Sequence, residues 1–155
     1  MQSDNSKRRM VATMAKILRS FDPYKIPANC CRDGISPATK ELLATCTDLD
    51  IYSVIGVFAS PIKRNTQEWI IFTLDGCVFY PACKPPCHIN YLRLDNAKVR
   101  RYSLTLGFHG GHVIKMKSRR IADFDDFLDT ILMCKLVKEH YCSYVSYRNH
   151  IKNKY

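Results

Sequence analysis

The chain has no uninterrupted apolar run near the roughly 18 residues that a transmembrane helix requires, so no membrane-spanning helix is expected. Its first residues, Met1 to Arg9, are polar and basic, and no apolar core with a small-residue cleavage site follows them. A secretory leader is therefore not expected, and the expectation is a cytoplasmic chain with reduced thiols, peripheral contact with a membrane being the alternative. Acidic residues are in short supply: 14 Asp and Glu face 24 Lys and Arg, a formal net charge of +10. That imbalance predicts attraction to something anionic, whether nucleic acid, an acidic protein face or a membrane surface. Internal repeats, low-complexity segments and a recognisable nucleophile motif are also missing. The segment Gly107-Phe108-His109-Gly110-Gly111-His112 lacks the G-x-G-x-x-G spacing and falls between strands, so no phosphate-cradling loop at a helix N-terminus is indicated.

Against these absences stand 155 residues with 46% apolar content, enough for one domain with a real core. Met10, Met14, Ile17, Leu18 and Phe21 recur at helical spacing and predict an amphipathic helix over 5–20. Its basic remainder either lies on a membrane or phosphates, or is the solvated face of a helix packed on the domain. A linker with Pro23, Pro27 and Gly34 follows, then a helix over 36–46 capped by Ser36 with Pro37 at its first position. From Ile51 the period becomes strand-like. Strands are expected at Ile51–Ser60, Gln67–Leu74, Cys77–Tyr80, His88–Leu92, Val99–Leu106 and His112–Met116, with Asp75-Gly76 as the strongest hairpin signal. The last element is a helix with Asp123, Asp125, Asp126 and Asp129 early and Lys135, Lys138 and His140 late, matching the helix dipole. Phe124, Phe127, Leu128, Ile131 and Leu132 form its expected apolar face. The organisation expected is an N-terminal basic helix and linker (1–35), a β-domain with a preceding and a closing helix (36–142), and a basic Tyr-rich tail or helix extension (143–155). The class is α+β, an antiparallel meander closing as a seven-stranded sheet pair or partly open barrel.

The text Ser53-Val54-Ile55-Gly56-Val57-Phe58, followed by Glu68-Trp69-Ile70-Ile71-Phe72-Thr73-Leu74-Asp75-Gly76-Cys77-Val78-Phe79-Tyr80, resembles the bacterial pleckstrin-homology-like (PH-like) domains. The turn Lys84-Pro85, the segment Ile89-Asn90-Tyr91-Leu92-Arg93-Leu94 and the acidic start of the last helix extend the resemblance to about residues 51–132. Pro61, Lys63 and Arg64 stand where the family often has glycines, and Arg93 where it has an Asp. The resemblance implies two bent antiparallel sheets of about six to seven strands capped by a helix. It also implies a non-enzymatic interaction module, with no cofactor and no small-molecule substrate.

The candidate site residues are cations. Between Arg93 and Arg120 lie Arg93, Lys98, Arg100, Arg101, Lys115, Lys117, Arg119 and Arg120 against one acid, Asp95. Alternation along a strand places Lys115 and Lys117 on one face, opposite Ile114 and Met116. This stretch, less Lys98, together with Lys63 and Arg64 in the first hairpin, is the expected binding set: either a solvated face or a surface that contacts an anion. A protein partner is the expected occupant. Anionic lipid, through the N-terminal helix and Lys63/Arg64, and nucleic acid, with aromatic help from Tyr91 and Tyr102, are the alternatives. Cys83, Cys87 and His88 have donor types that suit zinc, but a closed structural site needs four ligands. Cys30-Cys31, His109 or His112 would have to supply the rest, so no metal is expected.

Overall fold

The computed structural model describes residues 2–24 and 53–154, with side chains described for 5–24 and 53–141. The helix expected over 36–46 and the pair Cys30-Cys31 lie outside the described residues. Helix α1 (Gln2–Leu18) leads to seven strands: β1 (Val54–Ala59), β2 (Trp69–Thr73), β3 (Gly76–Tyr80), β4 (Cys87–Asn90), β5 (Leu94–Arg100), β6 (Ser103–Phe108) and β7 (Val113–Lys117). A single 3-10 turn, Tyr91–Arg93, separates β4 from β5, and helix α2 (Phe124–Lys154) closes the chain. The strands form two antiparallel meanders, β1-β2-β3-β4 and β5-β6-β7, which do not join into a closed barrel.

One core fills the space between the sheets and the helices. Met10, Met14 and Leu18 of α1 enter it, as do Ile70 and Phe72 of β2, Leu104 and Leu106 of β6, and Phe124, Phe127, Ile131 and Cys134 of α2. The basic residues of α1, Lys7, Arg8, Arg9 and Lys16, stay exposed, as does Arg19 just beyond it, so α1 is a packed helix with a solvated basic face. At the centre the Phe21 ring meets Phe58 edge-on at 4.8 Å, Phe72 at 5.6 Å and Phe127 at 5.6 Å. Both faces of β2 are covered: Ile70 and Phe72 enter the main core, while Ile71 and Trp69 face a second small cluster with Val54 and Val57.

Four local expectations are corrected. The β2–β3 loop is Leu74-Asp75, not Asp75-Gly76: Thr73 is aligned with Gly76 just beyond the Phe72–Cys77 pair, and Gly76 opens β3. Gly76 is required there because a Cβ would collide with the Ile89 carbonyl of β4. Thr73 Oγ1 closes the loop by accepting from the Asp75 and Gly76 amides at 3.2 and 3.1 Å. Strand four ends at Asn90, and the chain turns through Tyr91–Arg93. The segment 99–106 is not one strand, since a tight turn at Arg101-Tyr102 divides β5 from β6. Leu132 faces outward with Met133 and Leu136, because the buried stripe of α2 runs through Phe124, Phe127, Ile131 and Cys134.

The first hairpin carries backbone strain. Lys63 and Thr66 exchange both backbone hydrogen bonds at 2.9 Å around Arg64 (φ 52°) and Asn65 (φ 60°). Two successive positive φ values define the primed turn that suits a twisted hairpin, which favours Asn then Gly. An arginine in the left-handed region is unfavourable because its Cβ crowds the following carbonyl. Arg64→Asn is therefore expected to raise the unfolding free energy by about 0.5–1 kcal/mol, read as a higher urea midpoint at unchanged m-value.

Candidate functional site

Alternation and register together assemble the basic face. In β6, Leu104, Leu106 and Phe108 point into the core, so Ser103, Thr105 and Gly107 line the outer face. Antiparallel partners share a face. Arg100 of β5 is aligned with Ser103, and Ser103 with Lys117 of β7. One step along, Lys98 is aligned with Thr105, and Thr105 with Lys115. The outer face thus carries two in-register rows, Arg100–Ser103–Lys117 and Lys98–Thr105–Lys115, with small hydroxyl residues flanked by cations. Lys98, Arg100, Lys115 and Lys117 are all exposed, whereas Ile114 and Met116 turn inward as expected. A bulge at Asp95 sets this register, and the Asn96 side chain lies over Gly107, where a Cβ would have no room.

Beyond the Arg100–Ser103–Lys117 row the face opens into a cleft of about 540 Å³, lined by Tyr102, Lys117, Arg119 and Lys84 with Glu68 and Ser118 at its base. Tyr102 is 42% exposed. The Arg101 and Arg119 guanidiniums lie 5.1 and 5.2 Å from its ring centroid, within cation–π range.

The base of the cleft is a polar knot that joins the two sheets. Glu68 is only 5% exposed, and the Ser118 hydroxyl donates to its Oε1 at 2.6 Å. Ser118 Oγ in turn accepts from the Arg120 and Ile121 amides at 3.0 and 3.3 Å. The Arg120 guanidinium donates to Thr66 Oγ1 at 2.6 Å, to the Thr66 carbonyl at 3.2 Å and to Ser60 Oγ at 3.4 Å. Burial pushes the Glu68 carboxyl above its ordinary value; the Ser118 hydrogen bond and the Arg120 charge oppose that rise. The Tyr24 hydroxyl is buried beside this carboxylate, near enough to feel its charge but outside hydrogen-bond geometry, and burial pushes it upward too.

The expected site residues divide into groups. Arg100, Lys115 and Lys117 lie on the face, and Arg101 and Arg119 at its Tyr102 end. Arg120 is tied to Thr66 and Ser60 and serves as a strut. Lys63 and Arg64 are exposed on the hairpin that Arg120 holds. Arg93 stands apart, lining a smaller hollow of about 270 Å³ with His88, Asn90, Phe108 and His112. Tyr91 is removed from any contact surface, being fully buried with its hydroxyl donating to the Thr73 carbonyl at 3.1 Å. Lys84 and Lys98 belong with the set although they were not in it. Alternation with Arg100 signals Lys98, whereas nothing in the sequence marks Glu68 as buried.

The possible zinc donors are not gathered. Cys87 packs against the core while its neighbour His88 is exposed on the other side of β4, and Cys83 sits in a left-handed turn at φ 60°. Among the described residues no three His, Cys, Asp or Glu side chains are placed to hold a metal ion. Burial pushes the Cys77 and Cys87 thiols upward and holds Cys134 up at about 12, against a small opposing effect of the Tyr91 hydrogen bond. No helix among the described residues is long and apolar enough to cross a membrane. No protein-family model matches the chain, and no curated protein matches it in sequence.

Proposed function

We propose that the chain is a non-enzymatic, PH-like interaction module that takes an anionic macromolecule on the outer face of β5-β6-β7. The observation that carries this reading is the pair of in-register rows Arg100–Ser103–Lys117 and Lys98–Thr105–Lys115, which places four cations on the two outer strands of the three-stranded sheet. Two antiparallel meanders with a closing helix support the PH-like part. The non-enzymatic part rests on the resemblance to PH-like interaction domains and on the lack of a recognisable nucleophile motif in the sequence. A cytoplasmic setting remains part of the proposal.

A protein partner, the occupant first expected, enters this reading as an acidic segment. Protein interfaces draw most of their energy from a few aromatic and Arg anchors buried at a well-packed centre. This face has arginines, but among the described residues its large exposed apolar side chains are Tyr102 and Val113 alone, too few to build such a centre around them. We therefore read the face as suited to a charged polymer. The lipid alternative loses one support, because the apolar stripe that an interfacial helix would insert is buried in the core at Met10, Met14 and Leu18.

Retention on a sulfated polyanion column tests the face. A variant with Lys98, Arg100, Lys115 and Lys117 changed to Gln is expected to elute at much lower salt than a control with Lys7, Arg8, Arg9 and Lys16 changed to Gln. The two have the same net charge. Equal elution would mean that total charge governs binding, and the reading would be withdrawn.

A further inference from the structure

We infer that the polymer on this face is a single strand of nucleic acid, its backbone running along β6 and a base stacking at Tyr102. The inference rests on the anion-binding reading above and adds four observations to it.

The first is spacing. Cations on alternate residues of one strand recur every ~7 Å, which is of the order of the distance between successive phosphates in an extended single strand. Lys98 and Arg100 supply one such pair on β5, and Lys115 and Lys117 the other on β7. The second is width. Two interstrand spacings separate β5 from β7, about 10 Å, so the walls admit one polynucleotide backbone between them. Of the floor residues only Thr105 is partly open, since Ser103 is buried and the Asn96 side chain covers Gly107, so the contacts foreseen on the strand are those of the cationic walls and the Thr105 hydroxyl.

The third is the aromatic end. Single-strand binding modules combine a basic groove that follows the backbone with planar side chains on which bases stack. Tyr102 is exposed where the trough opens into the cleft; the Arg101 and Arg119 guanidiniums lie over its ring, so a base would stack there by displacing one of them or by lying on the guanidinium plane. An acidic peptide has no use for such a platform. The cleft beside it, about 540 Å³, has room for a base and its sugar, with Lys84 and Lys117 at its margin. The fourth is local charge purity. The one acid between Arg93 and Arg120, Asp95, sits at the bulge with His109 Nδ1 at 3.9 Å and accepts from Asn96 at 3.3 Å; the other nearby carboxyl, Glu68 at the base of the cleft, accepts from Ser118, so neither lies within the two rows.

The contacts foreseen are to phosphates and to one stacked base, so the sequence preference is expected to be weak. A duplex is disfavoured because this face presents neither a helix nor a two-stranded ribbon to enter a groove.

Fluorescence anisotropy with the full chain tests the inference. The probes are a labelled 12-nucleotide single strand of mixed sequence, the duplex of the same sequence, and a polyglutamate peptide of matched charge. The single strand is expected to bind at least about tenfold tighter than either of the others. Its affinity is expected to fall steeply with salt, and Lys98→Gln with Lys117→Gln should reduce the log–log slope by about 1.4 for two lost phosphate contacts. Tyr102→Ala is expected to weaken the single strand by about tenfold without changing that slope. Thermal melts of each variant establish that the fold is kept.

Polyglutamate binding as tightly as the single strand would overturn the inference in favour of an acidic protein segment. Tighter binding of the duplex, or a silent Tyr102→Ala, would overturn it as well. Retention on the polyanion column without oligonucleotide binding at low salt would sink the inference alone. If the four-Gln variant bound every polyanion as the wild type does, the underlying reading would fall with it.

Discussion

Phe21→Ala is expected to cost about 3–5 kcal/mol of folding stability, a large part of the 5–15 kcal/mol that a domain of this size commonly has. The residue lies just past the end of α1, where the sequence breaks into prolines and looks like the start of a linker. Its ring is nevertheless 1% exposed and meets Phe58 of β1, Phe72 of β2 and Phe127 of α2. Truncation leaves a cavity where three elements converge, and close-packed neighbours collapse into such a space only in part. Urea unfolding followed by tryptophan fluorescence reads the effect, because Trp69 lies on the neighbouring β2. A loss below about 1 kcal/mol would mean that the aromatic centre tolerates the void.

The second large effect is expected at Arg120. Replacing it with Met removes three donations to Thr66 and Ser60 and withdraws the positive charge that restrains the Glu68 carboxyl. A loss of about 3 kcal/mol at neutral pH follows, at the lower end for breaking a buried charge network because the guanidinium is partly solvated. The effect carries a pH signature. Glu68 already has a folded-state value above its unfolded one, so the folded chain binds more protons there, and stability falls as pH rises from the ordinary carboxylate value through the raised one. Without Arg120 the folded value moves further up, so the fall becomes larger and extends to higher pH. The deficit of Arg120→Met relative to wild type should thus shrink on acidification, when Glu68 is protonated in both. In a Glu68→Gln background it should become nearly independent of pH. A deficit that stayed constant with pH in the parent background would show that the strut acts through its neutral acceptors alone.

The sequence made the elements legible wherever one physical signal dominated. A continuous run of β-branched and aromatic residues marks β2, period-two burial marks β7, dipole-matched charge marks the start of α2, and the apolar stripe marks α1. The errors came where two signals competed. Asp95-Asn96 forms a bulge within the strand rather than ending it, so β5 starts five residues before the Val99 expected. Arg101-Tyr102 contains no turn former, yet it makes the hairpin, because the inward residues on either side, Val99 and Leu104, are already paired across the strands. Leu132 fits a helical stripe on paper, but α2 packs on α1, the 3-10 turn, β5 and β6, and this selects the neighbouring stripe through Cys134. At the candidate site, the basic stretch was visible as composition and Lys115/Lys117 as alternation. The rows were not visible, because they depend on register among three strands. Glu68 was hidden for another reason: its burial depends on Ser118, 50 residues away in the chain.

The position of the four cations also bears on solubility. All of them sit on β5 and β7, the two outer strands of the small sheet, while β6 between them has none. Outer strands invite pairing with another chain, and lysine along them is a common safeguard. Two such sheets meeting edge to edge would bring like charges together. The charge proposed to draw a polymer to this face would therefore also keep separate molecules apart. If a polyanion neutralises it as proposed, the repulsion between neighbours bound along the same strand would be relieved, and crowding along the polymer would become easier than association in free solution.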